Sequence, residues 1–445
     1  MTCEHLSTLI STSDRTMNAI ILSVGDELIL GQNVDTNSAW ISRQLAAVGC
    51  PVSAHVTVGD NQRAIEQAIY ESGERADFLI ITGGIGPTPD DLTRQALAVV
   101  MRQELQLNEL WAKRLEEYFQ ARGRSMPQSN RIQAMIPTGA RMIENTMGTA
   151  AGIDATLTFD LSVPGHSPRK HTCRVFVLPG VPKEMMAMFT RDVLPHIRQA
   201  TGGACILSRS LHTFGLGESA VAEKLGALMD RGRNPSVGTT VSGGVVTIRI
   251  NAAFASREKA EQELEATVAA CREILGDLIY GEDDETLEQV VGRMLAERRL
   301  AVTTAESCTG GLLAKMITDV PGASEYFHVG FITYSNQMKY ERLGVSLEII
   351  HLYGAVSEPV VSAMANNAKR LAKANVALAI SGVAGPGGGT PAKPVGTVCI
   401  ALAHDAGTTA RTFNFPGDRQ WIRDRAAKMA LTMLRYHLLG KQMPF

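Results

Sequence analysis

The chain has 445 residues, with 43 Lys and Arg against 45 Asp and Glu and a formal net charge of −2. No basic tract exists, which argues against nucleic acid as a partner. Its apolar fraction of 45% suits a soluble protein of two or three domains, each with its own core, and no run reaches the roughly eighteen apolar residues of a membrane span. The seven cysteines are odd in number, scattered and never in a C-x-x-C pair, so reduced thiols and a cytoplasmic protein are expected rather than a disulfide frame or a structural zinc site.

Residues 1–16 are polar, carry Glu4 and Asp14 and lack the positive and apolar regions of a signal peptide. They read as a disordered lead-in, with Met17 a candidate start. From Ala19 strands and helices alternate. Strand Ala19–Val24 is followed by a helix from Asn37 to Val48, with Trp40, Ile41, Leu45 and Val48 on one face and Gly49 as the stop. An extended Pro51–Val58, a helix Gln62–Glu71 with Ile65 and Ile69 in register, and the apolar strand Phe78–Thr82 come next. Such a βαβαβ run predicts a parallel sheet covered on both faces, the start of a doubly wound α/β domain over 17–204.

Ligands of such sheets bind beyond the strand C-termini. Those ends carry Gly25-Asp26-Glu27 and the run from Thr82 to Asp91, with Gly83, Gly84, Gly86 and Thr88 inside it. Glycines beside a helix starting near Leu92 let backbone N–H groups approach a phosphate, and Asp90 and Asp91 can hold a divalent cation. The competing reading makes both aspartates caps of that helix. The run is not a P-loop, because no Gly-Lys-Ser/Thr follows. The polar stretch Asp160–Thr172 reads as an extended hairpin loop.

Residues 205–282 have their own order. Strand Leu207–Phe214, helix Glu218–Met229, strands Ser236–Val241 and Val245–Ala253 about Gly243-Gly244, helix Arg257–Leu275 and strand Leu278–Tyr280 form β-α-β-β-α-β, a ferredoxin-like α+β unit.

A last α/β domain, 283–445, opens at a capping box, Thr286 with Gln289, leading Leu287, Val290, Val291, Met294 and Leu295 along one helical face. A β-rich run, Leu300–Thr304, then gives way to Leu312, Leu313, Met316 and Ile317 at helical spacing, which puts Ser307 at a strand-to-helix turn. Free N–H groups at that helix N-terminus would suit an anion or a developing oxyanion, and a hydroxyl beside them could attack a carbonyl if a base removed its proton. Lys339 and Tyr334, downstream on strand Phe327–Tyr334 and the helix capped by Ser335, are the candidates. The competing readings make Ser307 or Thr309 a plain helix cap, or the thiol of Cys308 the nucleophile. Ser357 is expected to cap a helix that buries Val360, Val361, Met364 and Leu371. Strand Val376–Ile380 empties into Ser381 and the loop Gly385-Pro386-Gly387-Gly388-Gly389. A strand, Val395–Ala403, follows that loop where a dinucleotide fingerprint needs a helix, so it reads as a rim able to contact phosphate or ribose. Arg419 and Arg423 open the final helix as phosphate ligands or as ordinary surface arginines.

The motifs AESCTGG (305–311), YSNQMK (334–339), GAVSE (354–358), SGVAGPGGG (381–389), KPVGTV (393–398) and GDRQWIR (417–423) together resemble the C-terminal domain of the CinA family, a nicotinamide mononucleotide deamidase. The resemblance implies Ser307 as nucleophile, Lys339 as base and Tyr334 as the orienting or relaying group. Substrate contacts would come from Cys308, Thr309, Gly310, Ser381, Gly385, Gly387, Arg419 and Arg423, with no metal. Likewise GDE (25–27), TGG-x-GPT-x-DDLT (82–93), Asn145 with Gly148-Thr149-Ala150, and LPGVPKEM (178–185) resemble the family's N-terminal domain, related to molybdopterin-binding domains. That implies metal-dependent hydrolysis of the ADP-ribose pyrophosphate bond, with nucleotide held by Asp26, Glu27, Thr82, Gly83, Gly84, Gly86 and Thr88 and the cation by Asp90 and Asp91. Ile85 stands where the family has Leu, and Ala151 where it has Pro. Expected partners are pyridine and adenine nucleotides and a second copy of the chain as a homodimer, with neither nucleic acid nor membrane.

Overall fold

Six consecutive buried residues make β1 (Ala19–Val24), the strand on which the N-terminal sheet is built. The computed structural model describes residues 17–161 and 169–445, so the expected lead-in and the centre of the expected loop lie outside the described residues. In chain order come α1 (Asp26–Ile29), α2 (Thr36–Ala47), β2 (Val52–Val58), α3 (Gln62–Gly73), β3 (Phe78–Thr82), α4 (Thr93–Met101), β4 (Leu105–Leu107), α5 (Glu109–Gln120), β5 (Met135–Pro137), β6 (Arg141–Ile143), β7 (Gly152–Leu161), β8 (Arg169–Leu178), α6 (Pro182–Met188) and α7 (Leu194–Ala200). Asp35 and Asn61 cap α2 and α3 by accepting from Ser38 and Ala64 N–H. The sheet order is β2-β1-β3-β8-β7-β6. β1 pairs in parallel with β2 and β3, and β3 with β8, while β7 and β8 form an antiparallel hairpin paired out to Leu161 and Arg169. Alternate residues serve opposite faces: Ile20, Leu22, Leu79 and Ile81 pack with α3 residues Ile65 and Ile69, whereas Ile21 and Ile80 pack with Ile41, Leu45 and Phe189. The register lines Val24, Val58, Thr82 and Leu178 up along one edge, where four parallel strands end.

The middle segment runs β9 (Cys205–Phe214), α8 (Glu218–Leu225), β10 (Ser236–Ser242), β11 (Val245–Phe254), α9 (Arg257–Leu275) and β12 (Ile279–Glu282). Its sheet order, β10-β11-β9-β12, is the ferredoxin-like order. The helix expected to reach Met229 stops at Leu225, because Gly226 turns left-handed (φ 49°) into a 3₁₀ turn. The chain divides into two compact units: one runs to Leu207 with Asn251–Glu265, and the other comprises Ser208–Ile250 with Ala266–Phe445.

The C-terminal segment contains α10 (Leu287–Arg298), β13 (Val302–Glu306), α11 (Leu312–Thr318), β14 (Phe327–Ile332), α12 (Asn336–Leu343), α13 (Leu347–Tyr353), α14 (Glu358–Ala372), β15 (Val376–Gly382), β16 (Thr397–His404), β17 (Gly407–Asn414) and α15 (Arg419–Leu438). The order β14-β13-β15-β16-β17 puts β13 between two parallel neighbours. Ala305, Ala377, Ala379, Ala401 and Ala403 make one face small enough for α14 to pack against it through Val360, Val361, Met364, Ala365 and Ala368. Bulky residues on the other face, among them Leu378, Ile380, Ile400 and Leu402, meet α10, α11 and α15. That core also takes Phe214, with Val245 and Tyr280 against it. Leu371, expected in the buried stripe, is 44% exposed. Ser357 occupies the N-cap position of α14 but makes no cap bond, its hydroxyl donating to Gly354 O at 2.7 Å. No helix among the described residues is long and apolar enough to cross a membrane, and the six described cysteines are free thiols.

Candidate functional site

Three strand ends converge on Ser307. β13 continues one residue past Glu306, as Ser307 N–H donates to Ile380 O of β15 at 2.9 Å and Thr333 N–H, just past β14, donates to Glu306 O at 2.9 Å. Ser335 then starts α12, its hydroxyl accepting from Met338 N–H at 3.2 Å, and the first turn carries Lys339 back under the sheet. Lys339 is 1% exposed. Its Nζ lies 3.0 Å from Ser307 Oγ, 3.0 Å from Thr333 O and 3.4 Å from Tyr334 O. Burial lowers the pKa of this amine, with the nearby Cys308 acting weakly the other way. Cys308 is buried too, and desolvation pushes its thiol up to about 12, a shift the neighbouring Glu306 reinforces. A thiol held protonated at neutral pH is a poor nucleophile, which weighs against the cysteine alternative.

The turn after Ser307 differs from expectation. The N–H groups at the start of α11 are not free: the fully buried Glu306 carboxylate accepts from Gly311 and Leu313 N–H at 3.0 Å each and from Ala314 N–H at 2.8 Å. Between these ends Gly310 N–H donates to Ser307 O at 3.0 Å, and Gly310 and Gly311 take left-handed φ of 58° and 94°. The Thr309 hydroxyl is buried without a partner among the described residues, while its carbonyl accepts from Arg423 Nη2 at 2.7 Å.

The rim is a second chain of contacts. Arg419 donates to the exposed Tyr334 hydroxyl at 2.9 Å and to Gly385 O at 2.8 Å. Tyr334 therefore reaches Lys339 through its carbonyl and Arg419 through its phenol. Ser381 follows the residue that anchors Ser307, yet its hydroxyl donates to Ala355 O at 2.7 Å. A Cβ at Gly387 would meet nothing within 4 Å, and the residue is exposed.

In the N-terminal domain the aligned strand ends bring Asp26 and Asp60 together, each accepting the other's backbone N–H at 3.0 Å. Burial raises the Asp60 pKa against that hydrogen bond, and the like charges of Asp26, Asp90 and Glu27 add to the rise. Thr82 is buried at the end of β3, and Gly83 and Gly84 follow in left-handed conformation (φ 100° and 66°). Three successive carbonyls, of Gly83, Gly84 and Ile85, accept from Thr93 Oγ1 (3.0 Å), Thr93 N (3.0 Å) and Arg94 Nη2 (2.8 Å), so the first turn of α4 takes up the acceptor side of this loop. Arg94 is 1% exposed, its Nη1 has no partner among the described residues, and burial brings its pKa down to about 10. Neither aspartate caps α4, whose N-cap is Leu92. Asp91 instead closes a turn, accepting from Thr88 N–H at 2.9 Å and from the Thr88 hydroxyl, beside Gly86.

The whole sequence and its parts have clear relatives. Three family profiles match: a probable molybdopterin binding domain over residues 20–199, the damage-inducible protein CinA KH domain over 208–281, and the CinA C-terminal domain over 284–438. A competence-damage inducible protein of Symbiobacterium thermophilum is 43% identical over 95% of this chain and 99% of its own length, and a CinA-like protein of Geobacter sulfurreducens is 39% identical over 95% and 100%. The chain belongs to the CinA family. Among solved structures, a CinA superfamily protein of Klebsiella pneumoniae is 35% identical over 35% of this chain and 96% of its own, with a TM-score of 0.34.

Within this CinA chain, Ser307, Cys308, Thr309, Gly310, Lys339 and Arg423 form one connected cluster, with Tyr334, Arg419 and Gly385 linked beside it. Ser381 abuts the cluster but directs its hydroxyl to Ala355 O, and Gly387 stands exposed beyond it. Two residues escaped the sequence reading. Glu306 lies inside the stretch AESCTGG, but its role needs the exact strand end. Asp60 comes from the end of β2 and meets Asp26 only through sheet register. Among the described residues no group of three or more His, Cys, Asp or Glu is arranged to hold a metal ion, and Asp91 is already engaged by Thr88. The acidic group about Asp60 fits a divalent cation only if a phosphate-bearing ligand completes the coordination, as magnesium sites commonly require.

Proposed function

We propose that the C-terminal domain hydrolyses the carboxamide of nicotinamide mononucleotide, giving nicotinate mononucleotide and ammonia. The observation that carries this reading is the buried contact of 3.0 Å between Lys339 Nζ and Ser307 Oγ. A neutral amine there has two protons for the Thr333 and Tyr334 carbonyls and one lone pair for the serine hydroxyl. Ser307 Oγ attacks the amide carbon as its proton passes to Lys339. The tetrahedral intermediate collapses when Lys339 returns that proton to the leaving nitrogen, and ammonia departs. Water, deprotonated by the same amine, then cleaves the acyl-serine ester to carboxylate and free serine. Arg419 and Arg423 are suited to the substrate phosphate, and Tyr334, held by Arg419, to orienting the ring.

For the N-terminal domain we infer a metal-dependent hydrolysis of ADP-ribose, supported by the glycine loop and the acidic group about Asp60. A bound divalent cation would supply charge neutralisation at the phosphates, while Asp26 and Asp60 would hold it. Pyridine and adenine nucleotides are thus the proposed ligands, a homodimer the proposed state, and the cytoplasm, in keeping with buried free thiols, the proposed location. A catalytically silent nucleotide sensor is the alternative. Ammonia release from nicotinamide mononucleotide, with and without chelator, decides: turnover of Ser307-dependent ammonia supports the deamidase, and binding without turnover supports the sensor.

A further inference from the structure

We propose that Glu306 is the positioning residue that holds the Ser307 nucleophile against Lys339. The inference rests on the serine mechanism above. Glu306 is fully buried, yet no Lys or Arg pairs with it among the described residues; Lys339 directs its amine to Ser307, Thr333 and Tyr334. Its two oxygens are met instead by backbone N–H groups. One oxygen accepts from Gly311 and Leu313 N–H, the other from Ala314 N–H. Because the same residue's carbonyl accepts from Thr333 N–H at 2.9 Å, Glu306 ties three elements together: β13 through its own backbone, the segment before α12 through its carbonyl, and α11 through its side chain. The bond to Gly311 closes a ring over residues 307–310, the segment that contains the nucleophile. Within that ring Ser307 is fixed on one side by Ile380 O and on the other by Gly310 N–H.

A carboxylate is the only side chain that fills this seat. Three N–H donors converge on two acceptor oxygens. The carboxamide of Gln has one acceptor and would turn its NH₂ toward an N–H, setting donor against donor. The isosteric change therefore loosens the turn while conserving volume, and a displacement on the order of 1 Å between nucleophile and base costs about 100-fold in rate.

The test uses the full chain and two readouts: steady-state ammonia release, and the rate at which a fluorophosphonate probe labels Ser307, which needs no assumption about substrate. Glu306→Gln is expected to lower both kcat and the labelling rate by about 10- to 100-fold with KM within about twofold of wild type. Glu306→Ala should lower them further, and added formate, which can reoccupy the seat, should recover part of the loss where chloride at equal ionic strength does not. Wild-type labelling in Glu306→Gln overturns the proposal, as does a loss confined to KM. Should the alanine variant not fold, the isosteric variant still decides. A wild-type chain that labels at Ser307 but releases no ammonia sinks the deamidase reading and leaves this inference standing.

Discussion

An ammonium ion taken out of water loses more than three neutral acceptors return, so the Lys339 site favours the free amine. The unfolded chain binds more protons than the folded one wherever pH lies between the lowered folded pKa and the ordinary lysine value. Stability attributable to this residue consequently rises with pH through that window, and at neutral pH the buried amine weakens the fold. Lys339→Met should then abolish ammonia release and raise the melting temperature by about 2–4 °C, as ~1 kcal/mol does in a domain of this size; an unchanged or lower midpoint contradicts the burial argument. Deamidation rate should climb with pH as Lys339 loses its proton and then level off, with the inflection below the free-lysine value of about 10.4. Lys339→Gln should reduce kcat by about 100- to 10,000-fold. Cys308→Ala is expected to keep most activity while Ser307→Ala falls to background, since burial raises the Cys308 thiol pKa and disfavours the thiolate; equal loss in both variants would return the thiol to consideration.

At the level of elements, what the sequence disclosed was what is local. β3, the start of α3, the capping box of α10 and the Ser335 cap of α12 emerge as expected, because the strand is one unbroken apolar run and each helix start depends on a cap bonded three residues on. Ser357 and Leu371 do not, because the Ser357 hydroxyl is turned to donate to Gly354 O rather than to accept from the first turn, and α14 turns Leu371 away from the alanine face. The candidate site divides likewise. Ser307 and Lys339 were legible as a motif pair, whereas the Glu306 seat needs β13 to end at 306 and α11 to begin at 312, a span no periodicity marks. Asp60 needs register between strands. The loop after β3 is likewise held by backbone geometry rather than by any periodicity of side chains. Gly84 has φ 66°, and a Cβ there would lie 2.2 Å from Thr93 Oγ1. Gly84→Ala should therefore push α4 from the loop and weaken ADP-ribose binding at least tenfold, measured by calorimetry, while deamidation stays intact; unchanged binding would mean that this loop is not the nucleotide cradle.

The molecule as a whole couples its middle and C-terminal segments more closely than the expected domain boundary at 282/283 suggests. Phe214 and Tyr280 join the core of the C-terminal sheet, Lys428 donates to Gly243 O at 2.8 Å, and the buried Arg435 guanidinium donates to Asp277 O and Ile279 O at 2.7 Å each. Cutting the chain at 283 exposes those contacts, and two aromatic side chains at about 1.5–3 kcal/mol each predict a melting temperature at least 5 °C below that of a 205–445 fragment; equal midpoints would show the contacts to be idle. The two proposed chemistries, by contrast, should separate cleanly by their need for metal. Pyrophosphate cleavage spreads charge over phosphoryl oxygens, and the acidic group of Asp26, Asp60 and Asp90 repels that charge unless a cation intervenes. Serine amidolysis places its charge on one oxygen and moves its protons through Lys339, so it needs no cation. Chelator should abolish ADP-ribose hydrolysis and spare ammonia release. Asp60→Asn should cut the first activity at least tenfold and leave the second unchanged, with Ser307→Ala the mirror image. If no divalent cation supports ADP-ribose hydrolysis, this domain keeps the fold without the chemistry, and Ala151→Pro, which introduces the residue the family resemblance leads one to expect there, is the variant in which activity should reappear. If chelation stops ammonia release instead, the lysine-activated serine is not the nucleophile.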